Sequence, residues 1–186
     1  MTTVDSPAVG GIASALRRLY FVRFGFAIVW AVLLFVTSKS EVGPIGVALV
    51  VLYPLFDVGA AVMDSRSSRA TGSARGLYVN MAISLLAAIG LGIAAASGVP
   101  AVLRVWGAWA IIAGLIQLIV ALTRRKLGGQ WPMILSGGIS VLAGANFILS
   151  AGAPNPSLST VAGYAVLGGI FFLVSAIRLG RSAKVN

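Results

Sequence analysis

The sequence has no cysteine and no histidine, and only four of its 186 residues are acidic. Without cysteine there is no disulfide, no thiolate metal site and no thiol nucleophile. Without histidine the commonest metal ligand, the commonest general base and the side chain best suited to sensing pH near neutrality are gone. The acidic residues Asp5, Glu41, Asp57 and Asp64 make no paired-carboxylate centre. There is no GxxxxGK[ST] phosphate loop, no HExxH segment, and no histidine to activate any serine. No catalytic residue, cofactor-binding motif or metal site is assigned, and the chain reads as a non-enzymatic protein.

Charge is scarce in general. Charged residues are 10% of the chain and hydrophobic ones 59%, whereas a soluble domain has about 25% and about 45 to 50%. Mean hydropathy is +1.00, more apolar surface than a water-soluble fold of this length can hide. The apolar residues form unbroken runs instead of alternating over about ten residues, which argues against a barrel. About 20 helical residues at a rise of 1.5 Å cross about 30 Å of hydrocarbon. Runs of that kind lie at 20–37, 44–63, 78–97, 101–122, 132–151 and 159–178, with end segments 1–19 and 179–186. The fold class is therefore all-α, a polytopic membrane protein of six transmembrane helices. Arg17 and Arg18 before the first run imitate a signal peptide, but Arg23 interrupts that run and no good cleavage site follows, so it reads as an uncleaved helix.

A net charge of +10 could point to nucleic acid, but the placement of the cations points to a membrane. Twelve of the basic residues fall on one side of the six runs, in the ends and in the longer connections near 64–77 and 123–131. Lys39 and Arg104 alone fall on the other. The positive-inside rule then puts both termini in the cytoplasm. Lipid is the expected partner, nucleic acid is not, and an excess of Arg over Lys with abundant Ala, Gly and Val fits a GC-rich bacterial genome and its inner membrane.

Three hairpins running in the same direction give the runs an internal order. Pro44, Pro100 and Pro154 stand at the outer turns, 56 and 54 residues apart, where each is expected to open the returning helix. A shift of 54 carries Ser97-Gly98-Val99-Pro100 onto Ala151-Gly152-Ala153-Pro154, and a shift of 55 carries Trp109 onto Tyr164 and Gly114 onto Gly169. The first hairpin diverges, needing a shift of 60 to bring Asp57 onto Gln117. This is a parallel repeat about the membrane normal, unlike the inverted repeats of many transporters. Small residues four apart, as in Ser136, Ser140 and Gly144 or Ala88, Gly92 and Ala96, suit close helix packing. Packing within one chain is the preferred reading of these faces, with a homo-oligomer interface as the alternative. Trp30, Trp106, Trp109, Trp131 and the tyrosines are expected as anchors at the membrane surfaces.

The three hairpins, the segment AWAIIAGLIQLIVALTRRK and the following ILSGGISVLAGANFILSAGAP resemble the HdeD-like family of small bacterial membrane proteins. The resemblance covers roughly 18–178 and is carried by Gly and apolar spacing followed by a basic loop. It implies a structural or interactive role in the membrane, associated in some members with acid resistance. It brings no catalytic motif to transfer onto this chain.

Ionisable groups inside a span cost about 2.5 to 3.5 kcal/mol each at the helix centre, so they are where function is sought. Arg23 and Asp57 have similar depth on the two helices of one hairpin and are expected to pair. That pair either locks the hairpin or, in the functional version, makes Asp57 a proton or cation site; in a third reading Arg23 snorkels to the headgroups. Pro54 removes the donor to the Val50 carbonyl beside it. Gln117 and Asn146 are expected to hydrogen-bond between helices. Arg104, Arg124, Arg125 and Lys126 are expected to reach lipid headgroups. Two functions stay open: a membrane protein acting structurally or by interaction, and a small channel or transporter centred on Asp57. Whether Asp57, Gln117 and Asn146 share one cavity separates them.

Overall fold

A backbone surrounded by hydrocarbon must satisfy its own polar groups, and the apolar runs do so as helices. The computed structural model describes residues 7–37, 42–67 and 74–185. Within them lie α1 (Pro7–Thr37), α2 (Pro44–Ser67), α3 (Ala74–Ala95), α4 (Val99–Thr123), α5 (Trp131–Ser150) and α6 (Ser159–Val185), with a single 3-10 turn at Arg125–Leu127 and no strand among the described residues. All six are long and apolar enough to cross a membrane. The helices outrun the apolar runs: α1 begins well before residue 20, α6 continues past 178, and Asp64 to Ser67 and Ala74 to Gly76 are helical where a loop is predicted. Lys39 and Arg69 lie outside the described residues.

The six helices close into a ring in chain order, with α6 against α1. Tight and loose contacts alternate around it. The closest packing joins one hairpin to the next, α2 on α3, α4 on α5 and α6 on α1, rather than the two helices within a hairpin. Glycine explains the tightest joint. Gly107 faces Gly144 and Gly114 faces Gly137, a seven-residue spacing on each helix, and a Cβ built at Gly107 would stand 2.5 Å from the Gly144 carbonyl oxygen. Such contact leaves no room for a side chain and lets the backbones of α4 and α5 touch. Ser136, Ser140 and Gly144 are buried here, so this small-residue face packs within the chain.

The turns follow local chemistry. Gly98 (φ 83°) lets the chain reverse before α4, whose first turn holds Pro100, and Pro44 opens α2. Pro154 departs from that pattern: it lies in the turn ahead of α6, which starts at Ser159 with the Ser157 hydroxyl accepting from the Ser159 N–H at 3.2 Å. A serine cap takes over what the proline was expected to do.

The outer surface is greasy. Phe35, Leu86, Ile93, Leu142 and Leu149 are between 65% and 77% exposed. Soluble monomers rarely leave so many large apolar side chains in water, and the surface is compatible with a multi-pass integral membrane protein. Basic side chains gather at the end of the bundle where α1 starts and α6 finishes, with Arg104 the lone described basic side chain at the other end.

The tryptophans depart from expectation. Trp131 is exposed, as an anchor would be, but Trp30, Trp106 and Trp109 are buried. Trp30 stacks on Trp106 at 5.4 Å between ring centroids, and Tyr53 meets Trp30, Trp106 and Trp109 edge-on at 4.6 to 6.0 Å. Aromatic rings gain from these offset and edge-to-face contacts about 0.5 to 1.5 kcal/mol per pair beyond the area they bury. The Trp30 indole N–H donates to the Leu49 carbonyl at 2.7 Å, one residue from the carbonyl that Pro54 deprives of its helical donor. Beyond this cluster the other end of the bundle is filled by Leu34, Leu49, Leu91, Val102, Leu103 and Val161.

Candidate intramembrane polar site

Between the aromatic cluster and the basic end the ring is not filled. A cavity of about 120 Å³, lined from all six helices, runs along the axis there. That is several times the room one water needs by the same measure.

Asp57 is its most connected side chain. Oδ1 accepts from Nη2 of Arg23 on α1 in a close ion pair. Oδ2 accepts from Asn80 Nδ2 at 2.6 Å and from Ser84 Oγ at 2.9 Å, both on α3. Ser84 in turn accepts from the Trp109 indole N–H of α4 at 3.0 Å. Three helices thus meet at one carboxylate, and a fourth braces it through Ser84. Hydrogen bonds in such a chain polarise one another where the surroundings are apolar. Arg23 is held less completely: its guanidinium lies 4.9 Å over the Phe172 ring, and its Nε is buried with no hydrogen-bond partner.

A second pair sits nearer the basic end. Arg124 Nη1 and Nη2 donate to Asp64 Oδ2 and Oδ1 at 2.7 and 2.9 Å, with the two side chains 2% and 11% exposed. Both ends of this bidentate bridge are engaged, the geometry in which a buried charge pair can offset its desolvation. Beside it Tyr20 donates to the buried Gln130 side chain at 3.4 Å. On the far wall Tyr164 donates to Ser140 Oγ at 2.7 Å, and Ser140 to the Ser136 carbonyl at 2.8 Å.

The residues predicted from sequence divide. Arg23 and Asp57 pair as expected, across α1 and α2. Gln117 also lines the cavity and donates to the Met133 carbonyl of α5 at 3.1 Å. Asn146 does not join them: it is exposed on α5 and accepts from Ser150 one turn along its own helix, because it faces away from the α4 contact that Gly144 makes. Arg125 and Lys126 are exposed at the basic end and Arg104 at the other, as headgroup contacts require. Arg124 is the correction, because its guanidinium turns inward to Asp64 and leaves the surface.

Asn80, Ser84, Asp64 and the cavity-facing tyrosines were missed. Asn80 and Ser84 are four apart and therefore share a helix face, and Asp64 follows Asp57 by seven, two turns on. Those spacings were the available signals. Among the described residues no cluster of acidic or other ligating side chains could hold a metal ion. No family model, no curated protein and no solved structure matches the chain.

Proposed function

We propose that this chain is a multi-pass protein of the bacterial cytoplasmic membrane, with both ends in the cytoplasm, that binds a small polar solute in its central cavity and acts as a carrier. One observation carries the reading: Asp57 is held by donors from two other helices, one of them braced by Trp109 from a third, inside a space lined by all six. A bundle evolved only to pack would fill that space, since interiors approach crystalline density. It would also have no reason to gather polar groups that each cost free energy in lipid. Of the three residues whose sharing of one cavity was to separate the readings, Asp57 and Gln117 share it, which favours transport, while Asn146 faces outward. The filled aromatic half sets the direction: the solute enters from the basic, cytoplasmic end, and release outward requires the helices to move.

The test is reconstitution of the purified protein into liposomes with a proton, ion and small-solute flux screen. Flux present in the wild type and lost in Asp57→Asn supports the carrier. Flux that survives Asp57→Asn, or no flux with any solute, removes it. Cysteines placed at Ser67 and Asn155 on this Cys-free background check the orientation, and both labelling from one side would overturn it.

A second reading is favoured by the same filled half: a non-enzymatic scaffold that works by lateral contact, alone or as a homo-oligomer with lipids as its partners. The likeness to HdeD-like proteins supports this, along with a role under acid or other stress. The alternation of tight and loose joints around the ring, with a period of two helices, supports the three-hairpin repeat on which that likeness rests. Loss of acid survival in a deletion strain, restored equally by wild type and Asp57→Asn, would favour the scaffold over the carrier.

A further inference from the structure

The two ion pairs of the cavity are built differently, and the difference indicates the solute. The inference rests on the cavity reading above. In the Arg124–Asp64 bridge two nitrogens meet two oxygens and neither partner is left wanting. In the Arg23–Asp57 pair the acid is anchored without the base. Asn80 and Ser84 hold Oδ2, and Trp109 fixes Ser84, so the carboxylate keeps its place if Arg23 leaves. Arg23, by contrast, offers one nitrogen to Asp57, leaves its buried Nε unpartnered, and lies over the Phe172 ring. A guanidinium has five N–H donors in a rigid fork, so one bond and an orphaned Nε is a poor fit for a permanent resident. The fixed member of the pair is the anion and the exchangeable member is the cation.

What Arg23 leaves behind is a cation site. It consists of one free carboxylate oxygen, the Phe172 face, and cavity walls that include Phe26, Tyr53, Phe56 and Trp109. Aromatic faces attract cations through the ring quadrupole, more strongly where water is excluded. An anion bound in place of Asp57 would face the opposite situation: it would have to displace the anchored partner, or sit beside it with the charges opposed.

We infer that the solute is a small, flat organic cation of the guanidinium or amidinium class, bound to Asp57 and Phe172 in the place that Arg23 fills when the cavity is empty. Arg23 is then a tethered competitor. It keeps the carboxylate neutralised between solutes and lowers the affinity enough for release.

The experiment uses full-length protein in detergent micelles, with benzamidinium as probe and two shape-matched controls, neutral benzamide and anionic benzoate. Tryptophan fluorescence, with Trp109 in the cavity wall, and thermal shift are read in parallel. Saturable binding of benzamidinium to wild type is expected, with neither control binding. Arg23→Ala should tighten it at least tenfold, and Phe172→Leu should weaken it a few-fold. Asp57→Asn should weaken it at least tenfold. Because Asp57→Asn leaves Arg23 buried without its counter-ion and can impair folding, the decisive comparison is Arg23→Ala against the double change Arg23→Ala with Asp57→Asn, where the gain should vanish. Three results overturn the inference: binding only in Arg23→Ala and never in wild type, binding indifferent to Asp57, or preference for a control. Benzoate or benzamide binding in the cavity would sink the cation class while leaving a solute site standing. If none of the three binds either wild type or Arg23→Ala, the solute site falls as well.

Discussion

Asp57 and Asp64 stand seven residues apart on α2 and line the same cavity, each neutralised by an arginine from a different helix. At helical rise the two carboxylates are about 10 Å apart along the axis. The pairs fasten α2 to α1 at one level and to α4 at another, and they leave the cavity with no net charge from these four groups. The lower pair is the more deeply buried and fully bonded of the two, which gives it the structural task.

Breaking that lower pair from one side should be severe. Asp64→Ala and Arg124→Ala are each expected to cost about 3 to 5 kcal/mol, because each leaves a buried charge uncompensated. The double change should cost clearly less than the two together. Unfolding in detergent micelles measures all three. A single-change loss below about 1 kcal/mol, the level of an exposed pair, would show that the bridge is not buried in the membrane-embedded protein.

Two adjacent glycines on α5 offer a matched test of the α4–α5 joint. A Cβ on Gly137 would lie 2.8 Å from the Gly114 carbonyl oxygen, whereas one on Gly138 meets nothing within 4 Å. Gly137→Ala should therefore lose about 1 to 3 kcal/mol through forced separation of the helices. Gly138→Ala should be neutral or gain up to about 1 kcal/mol from helix propensity. Equal melting temperatures for the two variants would rule out the packing described.

The donors on α3 should prove coupled to Asp57. A hydrogen bond to a charged group contributes about 1.5 to 3 kcal/mol, so a double-mutant cycle of Asn80→Ala with Asp57→Asn is expected to give a coupling in that range. Additive effects of the two changes would mean that the amide does not hold the carboxylate.

Trp30 and Trp106 stack on each other, yet one indole N–H reaches the Leu49 carbonyl and the other is buried with no partner. Phenylalanine at either position loses similar packing. Trp106→Phe also removes an unsatisfied donor, a burden of about 1 to 3 kcal/mol, so it should be at least about 1 kcal/mol milder than Trp30→Phe. The reverse order, read from thermal melts, would contradict the assignment of these bonds.

Much of this was legible in the sequence for a simple reason. Hydrocarbon thickness dictates the length of a span, so six apolar runs become six helices with little room for error. Opposite charges at equal depth on consecutive helices, Arg23 and Asp57, find each other because lipid offers neither an alternative. What was hidden depends on azimuth, which a run apolar all round does not reveal. Gln117 and Asn146 look equivalent as letters, but one faces the axis and the other faces outward. The same ambiguity cast Trp30, Trp106 and Trp109 as surface anchors when they fill the centre. Arg124 was read as one of a basic trio, and nothing in the trio distinguishes the member that turns inward.

The closure of the ring by α1 against α6 has a bearing on how the protein is made. Synthesis runs from the N-terminus, so α1 finds its closest neighbour only once α6 has been inserted. Until then Arg23 has Asp57 but lacks the ring of Phe172, and the wall that α6 supplies is missing. Assembly is thereby tied to α6: a chain cut short before it exposes the unfinished side of its own interior to lipid.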